Sequence, residues 1–229
     1  LLGNYNGTPA APVSVLEGIK RGAPAGINVI HAVGSGWAAL LPMFEAVPAS
    51  ALFTNEPGAG AAAATAAGQG PRLVPGLTGE YFNGPRVEGT PAFTRIDKQI
   101  DFNWSKTAPD ARITDLGSFA VRWTGYLVPP ATGSYVLGGP GLTSARLSLD
   151  GKEVASITGF RDAAGSKPIQ LEAGRRYAIQ VDHVHRLRQP LMQLAWDAPG
   201  RDFQGAAVEA ARRASLVVLV LGLSPRLEG

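Results

Sequence analysis

Cysteine is absent from this 229-residue chain, which excludes disulfide bonds, thiolate metal sites and cysteine nucleophiles. Charged residues are scarce, at 17% with a net charge of +3, and the basic ones are scattered, so we expect no nucleic-acid partner. The longest apolar run, residues 216–221, is far shorter than the roughly 20 residues that a membrane-spanning helix needs. We therefore expect no membrane partner either.

Hydrophobic residues make up 45% of the chain, and 29 glycines and 18 prolines interrupt it often. This composition is typical of short strands and tight turns rather than of a helical bundle. Over residues 77–198 apolar and polar residues alternate, which is the period of a strand with one buried face. The alternating positions include Ile100, Phe102, Trp104, Phe119, Val121, Trp123, Leu147, Leu149, Tyr177, Ile179, Val181, Leu194 and Trp196. With a hairpin predicted at Asp150-Gly151, the segment is predicted to be an antiparallel β-sandwich or barrel.

The two ends of the chain follow a different pattern. The pattern at the N-terminal end predicts a short helix ending at Gly22 and then a strand at 27–30. The other predicts a helix over 206–214 and a continuous apolar strand at 216–221. A strand without alternation is buried on both faces, as in a parallel sheet between helices.

These patterns predict a mainly β chain in which one domain is inserted into another. Residues 1–35 are predicted to be the first fragment of a host parallel α/β-sandwich domain, and residues 199–229 the second fragment. Residues 36–76, which lack periodicity and contain many proline, alanine and glycine residues, are predicted to be an irregular linker. The antiparallel sandwich over 77–198 lies between the two fragments.

Ordered motifs along the middle segment resemble a known domain. They are GLTGEYF at 76–82, FAVRWTGYL at 119–127, PATGSY at 130–135, ARLSLDGK at 145–152, LEAGRRY at 171–177 and LAW at 194–196. In this order they resemble the protective-antigen-like domain, a β-sandwich known for carbohydrate recognition. The flanks, with LGNYNG at 2–7, LEGI at 16–19 and VVLVLGLSPRLEG at 217–229, resemble a glycoside hydrolase family 3 enzyme.

The resemblance implies a segment of a retaining exo-β-glycosidase of β-glucosidase type, which hydrolyses O-glycosyl bonds in carbohydrate metabolism. Retention needs two carboxyl groups about 5–5.5 Å apart. In the family the nucleophilic Asp lies in a preceding barrel domain that these residues do not include, and the acid/base Glu is expected just after Gly229. Glu228 is adjacent to that position, so no catalytic residue is assigned and we expect this segment alone to be inactive.

The same resemblance implies the partners of the chain. They are an oligosaccharide or aryl β-glycoside and the remainder of the parent glycosidase, with no cofactor. The family also implies a periplasmic or secreted location.

Five residues are candidates for substrate binding. Arg186 and Arg188 lie in a predicted loop, and arginine donates bidentately to paired acceptors such as vicinal hydroxyls; a solvated turn is the alternative. Phe160 and Arg161, in the predicted loop 158–167, have the same two interpretations. Trp37, in an irregular stretch, is a candidate for stacking on a sugar and equally for a core position.

Metal sites are not expected. Some protective-antigen-like domains bind sugar through calcium held by aspartates in the loop before the Arg-Leu strand. Here that loop, residues 138–144, contains no acid, whereas calcium prefers carboxylate oxygens. His183 and His185 share one face of a predicted strand, but no third ligand is visible, and we predict exposed histidines at a strand end.

Three functions remain open from the sequence. In the leading hypothesis the inserted domain shapes the aglycone side of a family 3 active site and contacts carbohydrate. The alternative is a non-catalytic carbohydrate-binding module that tethers an enzyme or a cell to polysaccharide. A third is a purely structural or dimerising insert.

Overall fold

The structure is a computed structural model that describes residues 13–36, 43–56, 72–139, 145–157, 165–186 and 191–221. The chain divides into two compact units. One is Phe44–Gly200, and the other combines Leu1–Met43 with Arg201–Gly229.

The Phe44–Gly200 unit is built from antiparallel strands. In the described residues they are β1 (Glu45–Ala46), β2 (Leu52–Asn55), β3 (Leu73–Pro75), β4 (Leu77–Asn83), β5 (Phe93–Asp97), β6 (Asp101–Asn103), β7 (Ser118–Leu127), β8 (Gly133–Gly138), β9 (Ala145–Leu149), β10 (Lys152–Ile157), β11 (Ile169–Leu171), β12 (Tyr177–Arg186), β13 (Leu191–Gln193) and β14 (Ala195–Asp197). A turn of 3-10 helix, Ala49–Ala51, precedes β2.

Two sheets form the sandwich. The large sheet has the order β10-β9-β12-β7, and two strands share the far edge of β7. The end of β7 near Leu127 pairs with β2, which continues to β3, whereas the rest pairs with β4, which continues to β5. The small sheet has the order β1-β14-β8-β11, and β6 pairs with β13. The antiparallel β-sandwich predicted from the alternation is confirmed.

One hydrophobic cluster contains residues from both sheets. Trp123 of β7, Tyr135 and Leu137 of β8 and Trp196 of β14 are all buried in it, and so is Trp104 beyond β6. Each aromatic side chain removes roughly 150–250 Å² from water, so such residues dominate the energetics of a core. The prediction that Trp104 and Trp123 are core residues is confirmed.

The hairpin predicted at Asp150-Gly151 joins β9 to β10. Leu149 pairs with Lys152, and the two turn residues have φ angles of 48° and 75°. Positive φ at both central positions is the geometry of a type I′ turn, which Asp-Gly favours. The Asp150 carboxylate also accepts a hydrogen bond of 2.8 Å from the backbone N–H of Ala178 on β12.

The segment 36–76 differs from its prediction as an irregular linker. Its described parts contribute β1 to the small sheet and β2 and β3 to the large one. Val47 and Leu52 are fully buried, so core packing orders this segment despite its composition. Pro75 lies on β3, an edge strand of the large sheet, where the missing N–H is tolerated. Residues 57–71 lie outside the described residues.

The second unit contains the two helices predicted from the ends of the chain. α1 is Val15–Gly22, capped by Ser14, whose hydroxyl accepts from the Glu17 N–H at 3.1 Å. α2 is Phe203–Arg212, capped in the same way by Asp202. Within the described residues, no helix has both the length and the apolar character needed to cross a membrane.

The strands predicted at 27–30 and 216–221 are not formed within the described chain. A strand needs a neighbour for its backbone N–H and C=O groups. The apolar side chains of 216–221 are uncovered instead, with Leu216 80% and Leu221 85% exposed. The parallel α/β host domain therefore remains a prediction.

Candidate functional site

The outer face of the large sheet carries a row of uncharged polar side chains. Thr78 of β4 lies opposite Thr124 of β7, which lies opposite Gln180 of β12, which lies opposite Ser148 of β9. We call these four residues the hydroxyl–amide row. Because paired Cα atoms in antiparallel strands are about 5 Å apart, the row is roughly 15 Å long.

A shallow groove of about 560 Å³ runs along this row. Its lining residues are Thr54, Asn55, Thr78, Thr124, Gly125, Tyr126, Ser148, Gly151, Ala178, Ile179 and Gln180. None of them carries a charge, and the half-buried Tyr126 adds an aromatic ring to the hydroxyls and amides. Such a surface offers hydrogen-bond donors, acceptors and an apolar ring face together.

Gly125 shapes the floor of the groove. A Cβ at this position would lie 2.3 Å from the Phe53 carbonyl oxygen and 2.7 Å from Leu77 Cδ2. Only glycine permits this close approach, at the point where β2 and β4 share the edge of β7. Across the junction between β2 and β4 the hydroxyls of Thr54 and Thr78 are 2.7 Å apart, which closes this side of the groove with a hydrogen bond.

A charged row runs beside the groove on the same face. Glu80, Arg122, Asp182 and Arg146 lie opposite one another on β4, β7, β12 and β9. Arg122 donates from Nε and Nη2 to the two oxygens of Asp182, both at 2.7 Å. This hydrogen bonding raises the pKa of Arg122 above its ordinary value. Gln180 also donates from Nε2 to Asp182, at 3.2 and 3.3 Å, so the charged row holds the groove's amide in one orientation.

A buried carboxylate joins three strands on the inner face. Asp97 accepts hydrogen bonds from Tyr81 Oη at 2.6 Å, Trp123 Nε1 at 2.8 Å and Arg95 Nε at 2.7 Å. Burial, together with the charge of Asp97, raises the pKa of Tyr81 above its ordinary value. Because both oxygens of Asp97 accept hydrogen bonds, this cluster connects β4, β5 and β7 on the inner face.

The prediction that His183 and His185 are exposed is wrong. Both are buried, since they continue the inward parity of Ile179 and Val181 on β12. His185 stacks on Phe119 at 4.4 Å, and the ring nitrogens of both histidines have no hydrogen-bond partner among the described residues. Burial, with a smaller contribution from His185, lowers the pKa of His183 to about 3, and burial also lowers the pKa of His185.

The part of the chain that the structure describes contains no cluster of metal-binding side chains. No group of three His, Cys, Asp or Glu side chains is close enough there to hold an ion. Asp182, next to the histidines in sequence, points to the outer face and pairs with Arg122. The two buried histidines thus have no carboxylate partner from their own strand.

The residues predicted to bind substrate lie away from the groove or outside the description. Trp37, Phe160, Arg161, Arg188 and Glu228 lie outside the described residues. Arg186 is the last residue of β12, opposite Ser118 of β7, and its side chain is not described. Ala178 lines the groove at the other end of β12, eight residues or roughly 26 Å away. The one described candidate, Arg186, therefore lies at the opposite end of β12 from the groove, and the role of the other four stays a prediction.

Sequence comparison identifies the family of the sandwich. The profile described as "PA14 domain" matches residues 73–206, more than half of the chain. The chain belongs to the PA14 domain family. This confirms the predicted protective-antigen-like domain. The family 3 host stays a prediction.

One curated protein and two solved structures are similar to this chain. The chain is 32% identical over 126 residues to Anti-sigma-I factor RsgI3 of Acetivibrio thermocellus, covering 54% of this chain and 19% of that protein. A solved anti-sigma factor domain-containing protein has 28% identity and a TM-score of 0.48, covering 57% of this chain and 46% of that one. A β-glucosidase from Kluyveromyces marxianus, solved in complex with glucose, has 19% identity and a TM-score of 0.46, covering 72% and 19%. The chain thus spans about a fifth of the length of the curated relative that it matches.

Proposed function

We propose that this chain is a non-catalytic carbohydrate-binding module whose binding site is the groove on the outer face of the large sheet. The observation that carries the proposal is the hydroxyl–amide row beside Tyr126. Pyranose rings present an apolar C–H face surrounded by hydroxyls. Hydroxyl and amide side chains complement the sugar hydroxyls, and an aromatic ring complements the C–H face.

Binding at this site does not need calcium. The loop before β9, residues 138–144, contains no acid, and calcium prefers several carboxylate or carbonyl oxygens. Among the residues that the structure describes, none with a carboxylate lines the groove. The proposed mode therefore differs from the calcium-dependent binding that the family resemblance suggests for other members.

The geometry sets the expected affinity. Each neutral hydrogen bond contributes a net 0.5–1.5 kcal/mol, by order of magnitude about 1 kcal/mol. Four row residues and Tyr126 then offset the loss of ligand freedom only modestly. We expect dissociation constants on the order of 0.1–1 mM, which is useful for tethering when several contacts act along a polymer.

The test is binding of the 229-residue chain to soluble neutral polysaccharides by affinity gel electrophoresis, using glucomannan, xyloglucan, mixed-linkage β-glucan and amylose. We expect retardation by at least one, unchanged by EDTA. Tyr126→Ala and Thr124→Val should weaken it at least fivefold. Thr94→Val is the matched control, because Thr94 is an exposed threonine of β5 outside the groove. Absence of retardation by all four, or equal retardation of all variants, contradicts the proposal.

A second candidate places the same module inside a larger enzyme. The two ends of the chain form one compact unit apart from the sandwich, and the apolar segment 216–221 is exposed. Both features, with the motif resemblance of the flanks, support a PA14 insert in a glycoside hydrolase family 3 β-glucosidase, where it would contact substrate on the aglycone side.

Deleting residues 77–198 from the full-length parent protein tests this candidate. We expect kcat/KM to shift between short and long β-glucosides by at least fivefold. Equal kcat/KM ratios, or a parent without glycosidase activity, would rule the candidate out. Neither result bears on sugar binding by the groove, which is measured separately.

A further inference from the structure

We infer that the groove binds an internal stretch of a linear, uncharged polysaccharide lying across the strands, rather than a single terminal sugar. This inference rests on the proposed function and specifies its ligand. Three features of the described residues lead to it: the spacing of the row, the shallowness of the groove and the distribution of charge around it.

The first feature is the repeat. Each of four neighbouring strands, β4, β7, β12 and β9, contributes one uncharged polar side chain to the row. The row therefore presents contacts at regular intervals over roughly 15 Å. Only an extended ligand with repeating hydroxyl groups contacts all four positions at once.

The ends of the row set the length of chain that it contacts. Beyond Thr78 the next position is Ile96 of β5, which is apolar, and next to Ser148 is Glu153 of β10, which is charged. The uncharged polar stretch is thus bounded on both sides. A ligand gains hydrogen bonds along the row only as far as these two neighbours, after which added units contribute little.

The second feature is the depth of the groove. Sites for small ligands bury most of the ligand surface in a cleft or cavity. This groove lies on the outer face of the large sheet, and half-exposed residues line it, including Thr124, Tyr126 and Ser148. A single sugar on such a surface keeps most of its area in water, so useful affinity requires several contiguous units.

The third feature is charge. No charged side chain lines the groove. Of the neighbouring charges, Arg122 is paired with Asp182 at 2.7 Å and Arg146 with Glu153 at 3.1 Å. Arg122 already donates to both oxygens of Asp182, so it offers little to the carboxylates of an acidic polysaccharide, and the exposed Arg146 already faces the carboxylate of Glu153.

The experiment uses the polysaccharide that binds best in the screen above. Oligosaccharides of one to six units are prepared from it by partial acid hydrolysis and titrated into the 229-residue chain by NMR. We expect no saturable binding of the monosaccharide, at least a tenfold gain in affinity from two to four units, and less than a twofold gain from five to six. The same polysaccharide with its primary alcohols oxidised to carboxylates should bind no more tightly than the unmodified one.

The row-end variants Ser148→Ala and Thr78→Val test whether the ends of the row set the length of ligand that is bound. Removing both end hydroxyls should lower tetrasaccharide affinity at least fivefold and move the plateau to shorter oligosaccharides, while disaccharide binding changes less than twofold. Thr94→Val serves again as the control, and thermal unfolding verifies that each variant is folded.

Two kinds of failure are distinguishable. If a monosaccharide binds within threefold of the tetrasaccharide at a site sensitive to Thr124→Val, the extended-chain inference is wrong and the proposed function stands. Tighter binding of the oxidised polymer overturns the uncharged-ligand part in the same way. If no polysaccharide binds, or no groove variant changes binding, the proposed function itself fails.

Discussion

The two faces of the large sheet are made by the same strands but differ in the burial and polarity of their side chains. On β7, Trp123 points inward, is fully buried and donates to Asp97, whereas its neighbour Thr124 points outward into a polar groove. On β12, His183 is buried against aromatic rings, whereas Asp182 pairs with Arg122 at the surface. The inner face therefore provides the packing that stabilises the fold, whereas side chains of the outer face can change without disturbing the core.

The largest loss of stability is expected on the inner face, from substitution of Trp123. Trp123→Ala removes a fully buried indole that stacks on Phe102 at a centroid distance of 6.0 Å and leaves the Asp97 carboxylate short of one donor. We expect the free energy of unfolding to fall by about 3–5 kcal/mol. Urea denaturation followed by circular dichroism measures it.

Trp123→Phe is the matched control for that substitution. It keeps much of the ring and removes only the indole N–H, so we expect an intermediate loss of about 1–3 kcal/mol. A loss below about 1 kcal/mol for Trp123→Ala would mean that the inner face does not dominate stability. The proposed difference between the two faces would then be wrong.

The second prediction for the inner face is that stability depends on pH through the buried His183. In the unfolded chain His183 has its ordinary pKa of 6.5, whereas burial in the fold lowers its pKa to about 3. Between these values the unfolded state binds the proton, so stability is full above pH 6.5 and falls as the pH is lowered. The slope approaches about 1.4 kcal/mol per pH unit, and the loss between pH 6.5 and 5 is about 1.6 kcal/mol.

The measurement compares urea midpoints of the wild type and His183→Gln across pH 5–7.5. We expect the variant to show a clearly shallower pH dependence, because glutamine does not titrate. His31, which is exposed, provides the control substitution His31→Gln, expected to leave the slope unchanged. Equal slopes for all three proteins would contradict the assignment of this pH dependence to the buried histidine.

A smaller effect is expected at the Arg122–Asp182 pair on the outer face. The pair is bidentate at 2.7 Å, but Arg122 remains 33% and Asp182 18% exposed. Solvent screening limits such pairs to about 0.5–1 kcal/mol. A double-mutant cycle with Arg122→Ala and Asp182→Ala should give a coupling energy in that range that decreases at high salt; a coupling above about 2 kcal/mol would show that the outer face contributes to stability as the inner one does.

Sequence alternation predicts the inner face but not the site. Val181 and Trp123 are recognisable as inward residues from their own strands, because period-two burial is a local property. The same parity places His183 and His185 inward; the prediction that they are exposed at a strand end is wrong because β12 continues to Arg186. The correct signal was the position in the alternation rather than the residue type.

The groove is a different kind of feature, since it depends on pairing between distant segments. Thr78, Thr124, Ser148 and Gln180 are ordinary outward residues in four separate strands. They become neighbours only through the register of β4, β7, β12 and β9, which a sequence pattern does not specify. In the described parts of 36–76 the linker prediction is wrong for the same reason, because β2 is ordered by its pairing with β7 and the burial of Leu52.

The smallest effect on stability is expected one residue from the largest, at Thr124. Thr124→Val keeps the β-branched shape that strands favour and replaces only a half-exposed hydroxyl. We expect the free energy of unfolding to change by less than about 0.5 kcal/mol, while polysaccharide binding weakens at least fivefold. Urea denaturation and affinity electrophoresis on the same preparation measure both quantities. A variant that loses stability and binding in parallel would mean that the two faces are not separable, because the groove would then be part of what holds β7 in the sheet.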